Sequence, residues 1–96
     1  MVDFDKFNRV RRAFSDLLCG FSTTWPTQDI EYVEDEINHR EFDDALENLI
    51  ALGLRNGRGF TSDQIRQIED LAAAINMRDS PWLCRLRDSV AAKRNP

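Results

Sequence analysis

The sequence predicts an all-α fold, a compact bundle of four to five short antiparallel helices. Three observations carry this reading. Apolar residues recur at steps of three and four in five separate segments, the spacing of one buried stripe along an α-helix. No segment alternates apolar and polar residues as a half-buried strand does. The connections are short, which favours antiparallel neighbours. With 96 residues, 42% of them hydrophobic, the chain supports one core, so residues 1–96 are expected to form a single helical domain.

The first helix is expected from about Asp3 to Cys19. Phe4, Phe7, Val10, Phe14, Leu17 and Leu18 form its stripe, and Gly20 is placed to stop it. In "FSTTWPT", Pro26 forbids continuation and pushes Trp25 toward an extended conformation. A second helix then opens with Thr27 as the N-cap candidate and Asp29 and Glu31 in its first turn, where their charge complements the positive helix end. Ile30, Val33 and Ile37 face inward, and Asn38 is the residue suited to a left-handed exit near "NHR".

The third helix, Glu41 to Gly53, has a continuous stripe of Phe42, Ala45, Leu46, Leu49 and Ile50, with Gly53 as its expected terminator. "GLRNGRGF" reads as a loop, since the flanks of its Asn-Gly pair have helical periodicity rather than that of a hairpin. Thr61 and Gln64 then fit a capping box, with Phe60 and Ile65 as the hydrophobic staple. Ile65, Ile68, Ala72 and Ile75 line the fourth helix. Ser80 followed by Pro81 is a cap with the favoured first-turn proline. A fifth helix carrying Trp82, Leu83, Leu86 and Val90 ends in the polar "AAKRNP".

Composition narrows the function classes. The chain is 31% charged, with a mean hydropathy of −0.52. It contains no apolar run approaching the roughly 20 residues that cross a bilayer. "MVDFDKFNRVRRAF" mixes acids and bases and lacks the apolar region of a signal peptide, so a cytoplasmic protein is expected. Cys19 and Cys84 stand far apart without a CxxC spacing and are expected to be reduced, buried thiols.

The net charge of −4 is unevenly distributed. Nine acids lie between Asp29 and Glu47, with Arg40 as the single base. That segment alone carries −8, leaving +4 on the remainder. A zone of this kind attracts basic partners and repels phosphates. It reads equally as a solvated face and as a binding surface.

Patterns that carry chemistry are incomplete. Glu36 and His39 have the Glu-x-x-His spacing of a di-metal carboxylate site, but such a site needs two of these motifs, and the chain has one histidine. No metal and no cofactor is expected. Helical spacing turns Glu31 and Asp35, and likewise Asp43, Asp44 and Glu47, away from the apolar stripes, where solvation leaves little to raise a pKa for acid catalysis. Cys19 and Cys84 have only His39 as a potential base, and "GLRNGRG" lacks the Gly-Lys-Ser/Thr ending of a phosphate loop. Arg55 and Arg58 in that loop are read as solvated. Arg9, Arg11 and Arg12 with Arg85, Arg87, Lys93 and Arg94 would bind nucleic acid only if gathered on one face beside aromatics, and a pI of 4.9 opposes it. Trp25 and Trp82, each beside a proline, fit a core edge or an interface.

The middle of the chain resembles a known group. "YVEDEINHREFDDALENLIALGL", a short polar loop and "FTSDQIRQIEDLAAAINM" are similar to small bacterial immunity proteins of the Maf and contact-dependent growth inhibition type. Those proteins have a helix entering a short turn, a Glu-aromatic pair, an Ala-Leu-x-x-Leu helix and a capped amphipathic helix ending near a methionine. The matching residues are Val33, Ile37, Glu41, Phe42, Ala45, Leu46, Leu49, Ile65, Ile68, Leu71 and Met77, and the match spans about half of the chain. The usual glycine before the Glu-aromatic pair is Arg40 here, so the turn must close differently, with Asn38 as the candidate.

The resemblance implies a non-enzymatic inhibitor that binds the toxin C-terminal domain encoded beside it. Many such toxins are nucleases with basic clefts, and carboxylates can stand where phosphates would bind. Glu31, Glu34, Asp35, Asp43, Asp44 and Glu47 are then the expected partner-binding residues. Asp35, Asp44 and Glu47 are the first to mutate, while Phe42 and Leu46 belong to the core. No direct contact with nucleic acid or membrane is expected. The competing class is a non-catalytic helical adaptor or regulatory subunit of another cytosolic complex. A toxin domain encoded directly upstream separates the two.

Overall fold

The structure, a computed structural model, describes residues 4–55, 60–77 and 79–94. The expected helix start at Asp3, the Asn56–Gly57 pair and Arg58 lie outside the described residues, as do the side chains of Phe4, Val90, Lys93 and Arg94. Five helices follow in order: α1 (Phe4–Cys19), α2 (Thr27–Asn38), α3 (Phe42–Arg55), α4 (Ser62–Ala74) and α5 (Pro81–Arg94). No strand occurs among the described residues. The all-α bundle is the architecture that the stripes predict.

α3 is the central element, packing against α2, α4 and α5, while α1 lies against α2 and α4. Its stripe explains the position: Ala45, Leu46, Leu49 and Ile50 are all fully buried. The core closes on them with Phe14 and Leu17 from α1, Val33 and Ile37 from α2, Ile68 and Leu71 from α4, and Leu83 and Leu86 from α5. Ile30, Phe42, Ile65, Ile75 and Trp82 are partly buried against this core. Gly20 at the end of α1 approaches Gln64 of α4, and Lys6 shares a cleft with Ala74, so these two helices run antiparallel.

The connection before α2 also belongs to the core. Phe21 and Trp25 are buried and stack with ring centroids 4.3 Å apart. The Trp25 amide donates to the Phe21 carbonyl at 2.8 Å, so the segment coils into turns. Phe60 meets both rings at 5.7 and 6.4 Å. Trp25 is therefore core, and Phe21 is a core residue that the helical stripes did not include.

The helix ends supply three corrections. Thr27 is not the N-cap of α2: Pro26 holds that position without a side-chain hydrogen bond, and its carbonyl accepts from the Asp29 amide at 3.0 Å. Gly53 does not end α3, which continues to Arg55. It is a buried contact glycine, since a Cβ there would overlap the Phe60 ring. Asn38 is not the left-handed residue after α2; Arg40 is, with φ 62°. The Glu41 amide donates to the Glu36 carbonyl at 2.9 Å and the Arg40 amide to the Ile37 carbonyl at 3.0 Å. This pair of bonds is a Schellman motif, which places its left-handed residue one position beyond the C-cap.

The same motif ends α4. Asn76 has φ 61°, and the Met77 amide donates to the Ala72 carbonyl at 2.7 Å. The expected starts of the last two helices are present. Thr61 Oγ1 accepts from the Gln64 amide at 3.1 Å, and the Gln64 side chain accepts from the Thr61 amide at 2.9 Å, completing the capping box. Ser80 Oγ accepts from the Trp82 amide at 3.3 Å.

Candidate functional site

The turn between α2 and α3 spans three residues, so these helices form an antiparallel hairpin that carries eight of the nine clustered acids on its two rods and the ninth, Glu41, in the turn. Each rod buries its apolar stripe, which forces the carboxylates to its flanks and outer face. Glu31, Glu34, Asp35, Asp43 and Asp44 are exposed, and Glu47 is half-buried.

The six expected binding residues do not converge on one point. Glu34 lies toward α1, lining a shallow cleft of about 250 Å³ with Ser15, Leu18, Cys19, Ser22 and Ile30. Asp35 points outward, its carboxylate 3.6 Å from His39 Nδ1. Asp44 belongs to the α2–α3 seam, where one carboxylate oxygen each of Glu36, Glu41 and Asp44 lie within 4.8 Å of one another. Asp43 and Glu47, one helical turn apart, form a separate edge of α3. The acids thus spread over the hairpin as a surface rather than closing into a pocket.

Glu36 is the electrostatic centre of the seam and was not among the expected binding residues. It is half-buried, and Asn48 Nδ2 donates to its Oε1 at 2.8 Å across the hairpin. Burial pushes its carboxyl above the ordinary glutamate range; the Asn48 hydrogen bond opposes this, and repulsion from Asp44, Glu41 and Asp35 adds to it. The sequence carried a signal for this position, because Glu36 follows Val33 by three residues and so borders the buried stripe.

His39 stands outside that cluster. Its Nδ1 donates to the Asp35 carbonyl at 2.7 Å, which makes it part of the end of α2, as a surface cap would be. That hydrogen bond first, then the Asp35 carboxylate and Glu41, raise its pKa above the usual histidine value. Arg40 turns the other way, with its guanidinium 4.6 Å from the centre of the Phe7 ring. The one base of the acidic segment is thereby directed to α1.

Both cysteines are free thiols, but they are exposed, which corrects the expectation of burial. Each falls beside the apolar stripe of its helix rather than within it: Leu18 and Leu83, their neighbours, take the buried positions. Three arginines of the end helices are engaged within the chain. Arg11 donates to Asn38 Oδ1 at 3.3 Å, Arg87 to Glu69 Oε1 at 3.2 Å, and Arg85 stacks over Trp82 at 4.7 Å. Among the described residues no helix is long and apolar enough to cross a membrane. Comparison of the chain with protein-family models, with curated proteins and with solved structures returned no match.

Proposed function

We propose that this chain is an immunity protein that binds and neutralises a cognate bacterial toxin domain, a nuclease with a basic cleft, through the acidic surface of the α2–α3 hairpin. The observation that carries the proposal is the arrangement of nine carboxylates on two consecutive rods and their turn, with their single base turned toward Phe7. The resemblance of this same hairpin to immunity proteins supports it. Inhibition on this reading is binding alone, with no catalytic step and no cofactor. A surface of one sign speeds encounter with a basic partner and rejects partners of like charge. The chain acts in the cytoplasm, where a delivered nuclease meets its substrate.

The test is co-expression with the toxin domain encoded directly upstream, followed by co-purification and a nuclease assay. A stable complex with suppressed nuclease activity is expected. A toxin domain that stays separate and fully active would overturn the proposal.

A further inference from the structure

Tyr32 is the exposed large hydrophobic residue among those described, with 57% of its surface open. It sits in the middle of α2, away from the buried Val33 and Ile37. Helical spacing surrounds it with Asp29 and Gln28 on the preceding turn and Asp35 and Glu36 on the following one. A tyrosine offers a large, rigid, amphipathic contact at low entropic cost, and tyrosines are enriched at interfaces.

The other aromatic rings near this protein's surface set the comparison. Phe7, Phe42, Phe60 and Trp82 are half-buried; Phe42 and Phe60 pack against other rings, and Phe7 and Trp82 are covered by Arg40 and Arg85. Among the described residues, no ring or guanidinium lies against Tyr32. Its ring is exposed, and the charged residues on the neighbouring turns of α2 are all negative. That combination fits a guanidinium better than an ammonium. A planar guanidinium stacks on the ring while its edge donates to carboxylates, whereas a lysine has a compact, strongly hydrated charge.

We infer that Tyr32 is the anchor of the acidic surface and takes an arginine side chain of a basic protein partner across its ring. This rests on the acidic hairpin being the binding surface, and it adds the residue that sets arginine over lysine there. The acids of α2 supply attraction at a distance, and Tyr32 supplies the short-range contact.

The test is a backbone-amide NMR titration of the full chain with an acetylated hexa-arginine peptide and with a hexa-lysine peptide of equal charge. The arginine peptide is expected to bind more tightly and to shift the amides around Tyr32. Tyr32→Ala should weaken the arginine peptide by about three- to fivefold, the size of an exposed cation–π contact. The same change should leave the lysine peptide within about twofold, given the weaker stacking of an ammonium. Tyr32→Phe, which keeps the ring, should retain the preference. Tyr32 is exposed, so its replacement leaves the core intact, which an unchanged amide spectrum elsewhere verifies. If both peptides bind α2 equally and Tyr32→Ala changes neither, the anchor is refuted while the acidic surface stands. If neither peptide binds the hairpin, both fail.

Discussion

Replacing Gly53 by alanine separates two roles that glycine plays in helices. A glycine that merely weakens a helix interior gives way to alanine with a gain of about 1 kcal/mol in helix propensity, whereas one that ends a helix in the left-handed region does not. Gly53 lies instead within α3, against Phe60. An added Cβ would stand 2.6 Å from Phe60 Cε2 and 2.9 Å from Cε1, and closer still to Cζ. Real contacts do not tolerate such distances, so the ring must leave. Phe60 immediately precedes the Thr61–Gln64 capping box, which fixes its backbone, and its ring contacts Phe21 and Trp25. Overpacking costs about 1–3 kcal/mol, and lost aromatic contacts add roughly 0.5–1.5 kcal/mol. Set against the propensity gain, the net loss is about 2 kcal/mol. For a domain near 100 residues that lowers Tm by about 8–16 °C. Urea unfolding followed by circular dichroism measures it, with Phe60→Leu as the second arm of a double-mutant cycle. In the Phe60→Leu background the cost of Gly53→Ala should largely vanish, a coupling of about 2 kcal/mol. A stabilised Gly53→Ala protein, or an equal loss in both backgrounds, would refute the reasoning.

Two further predictions concern the hairpin. At Arg40, φ 62° favours glycine, so Arg40→Gly should be more stable than Arg40→Ala by about 1 kcal/mol. Equal urea midpoints for the two variants would show that the left-handed turn is not retained. At the seam, the raised pKa of Glu36 means that its favourable contribution is present below the unfolded glutamate pKa and is lost as pH rises through the folded value. Glu36→Gln keeps an acceptor for Asn48 and removes that loss. It should stabilise the protein at pH 7 by about 0.5 kcal/mol or less, and the gain should disappear near pH 3, below the unfolded pKa of about 4.3. Urea midpoints at the two pH values test it, and a gain that is the same at both would count against the assignment.

The fold was legible because each helix satisfies its own local rules. The stripe of α3 defines the centre of the core, and Thr61 with Gln64 marks the start of α4 to the residue. What escaped the sequence depends on partners distant along the chain or on backbone hydrogen bonds. Gly53 looks like a helix stop until Phe60, seven residues later, is seen to fill the space over it. Asn38 has the better intrinsic tolerance for the left-handed region, yet the amides of Arg40 and Glu41 fix the turn two residues further on. Arg40 thereby takes a left-handed position that glycine fills most readily.

The site was legible as an acidic segment but not as a geometry. Glu36 borders the buried stripe of α2, but its partner Asn48 is known only once the three-residue turn brings α3 across from it. Glu34 turns toward α1, a direction that follows from which neighbour α2 packs on and not from charge. Tyr32 escaped for the opposite reason: helical spacing left it outside both the apolar stripe and the acid count.

The central claim is that the acidic hairpin is a toxin-binding surface. The most direct measurement is the affinity of the purified toxin domain for this chain and for its Asp35→Lys, Asp44→Lys, Glu47→Lys variant, across a range of salt concentrations. The account predicts affinity that falls with salt for the natural sequence, and in the variant a loss of about tenfold or more, chiefly in the association rate, with a flatter salt dependence. Unchanged affinity and an unchanged salt dependence in the variant would contradict it.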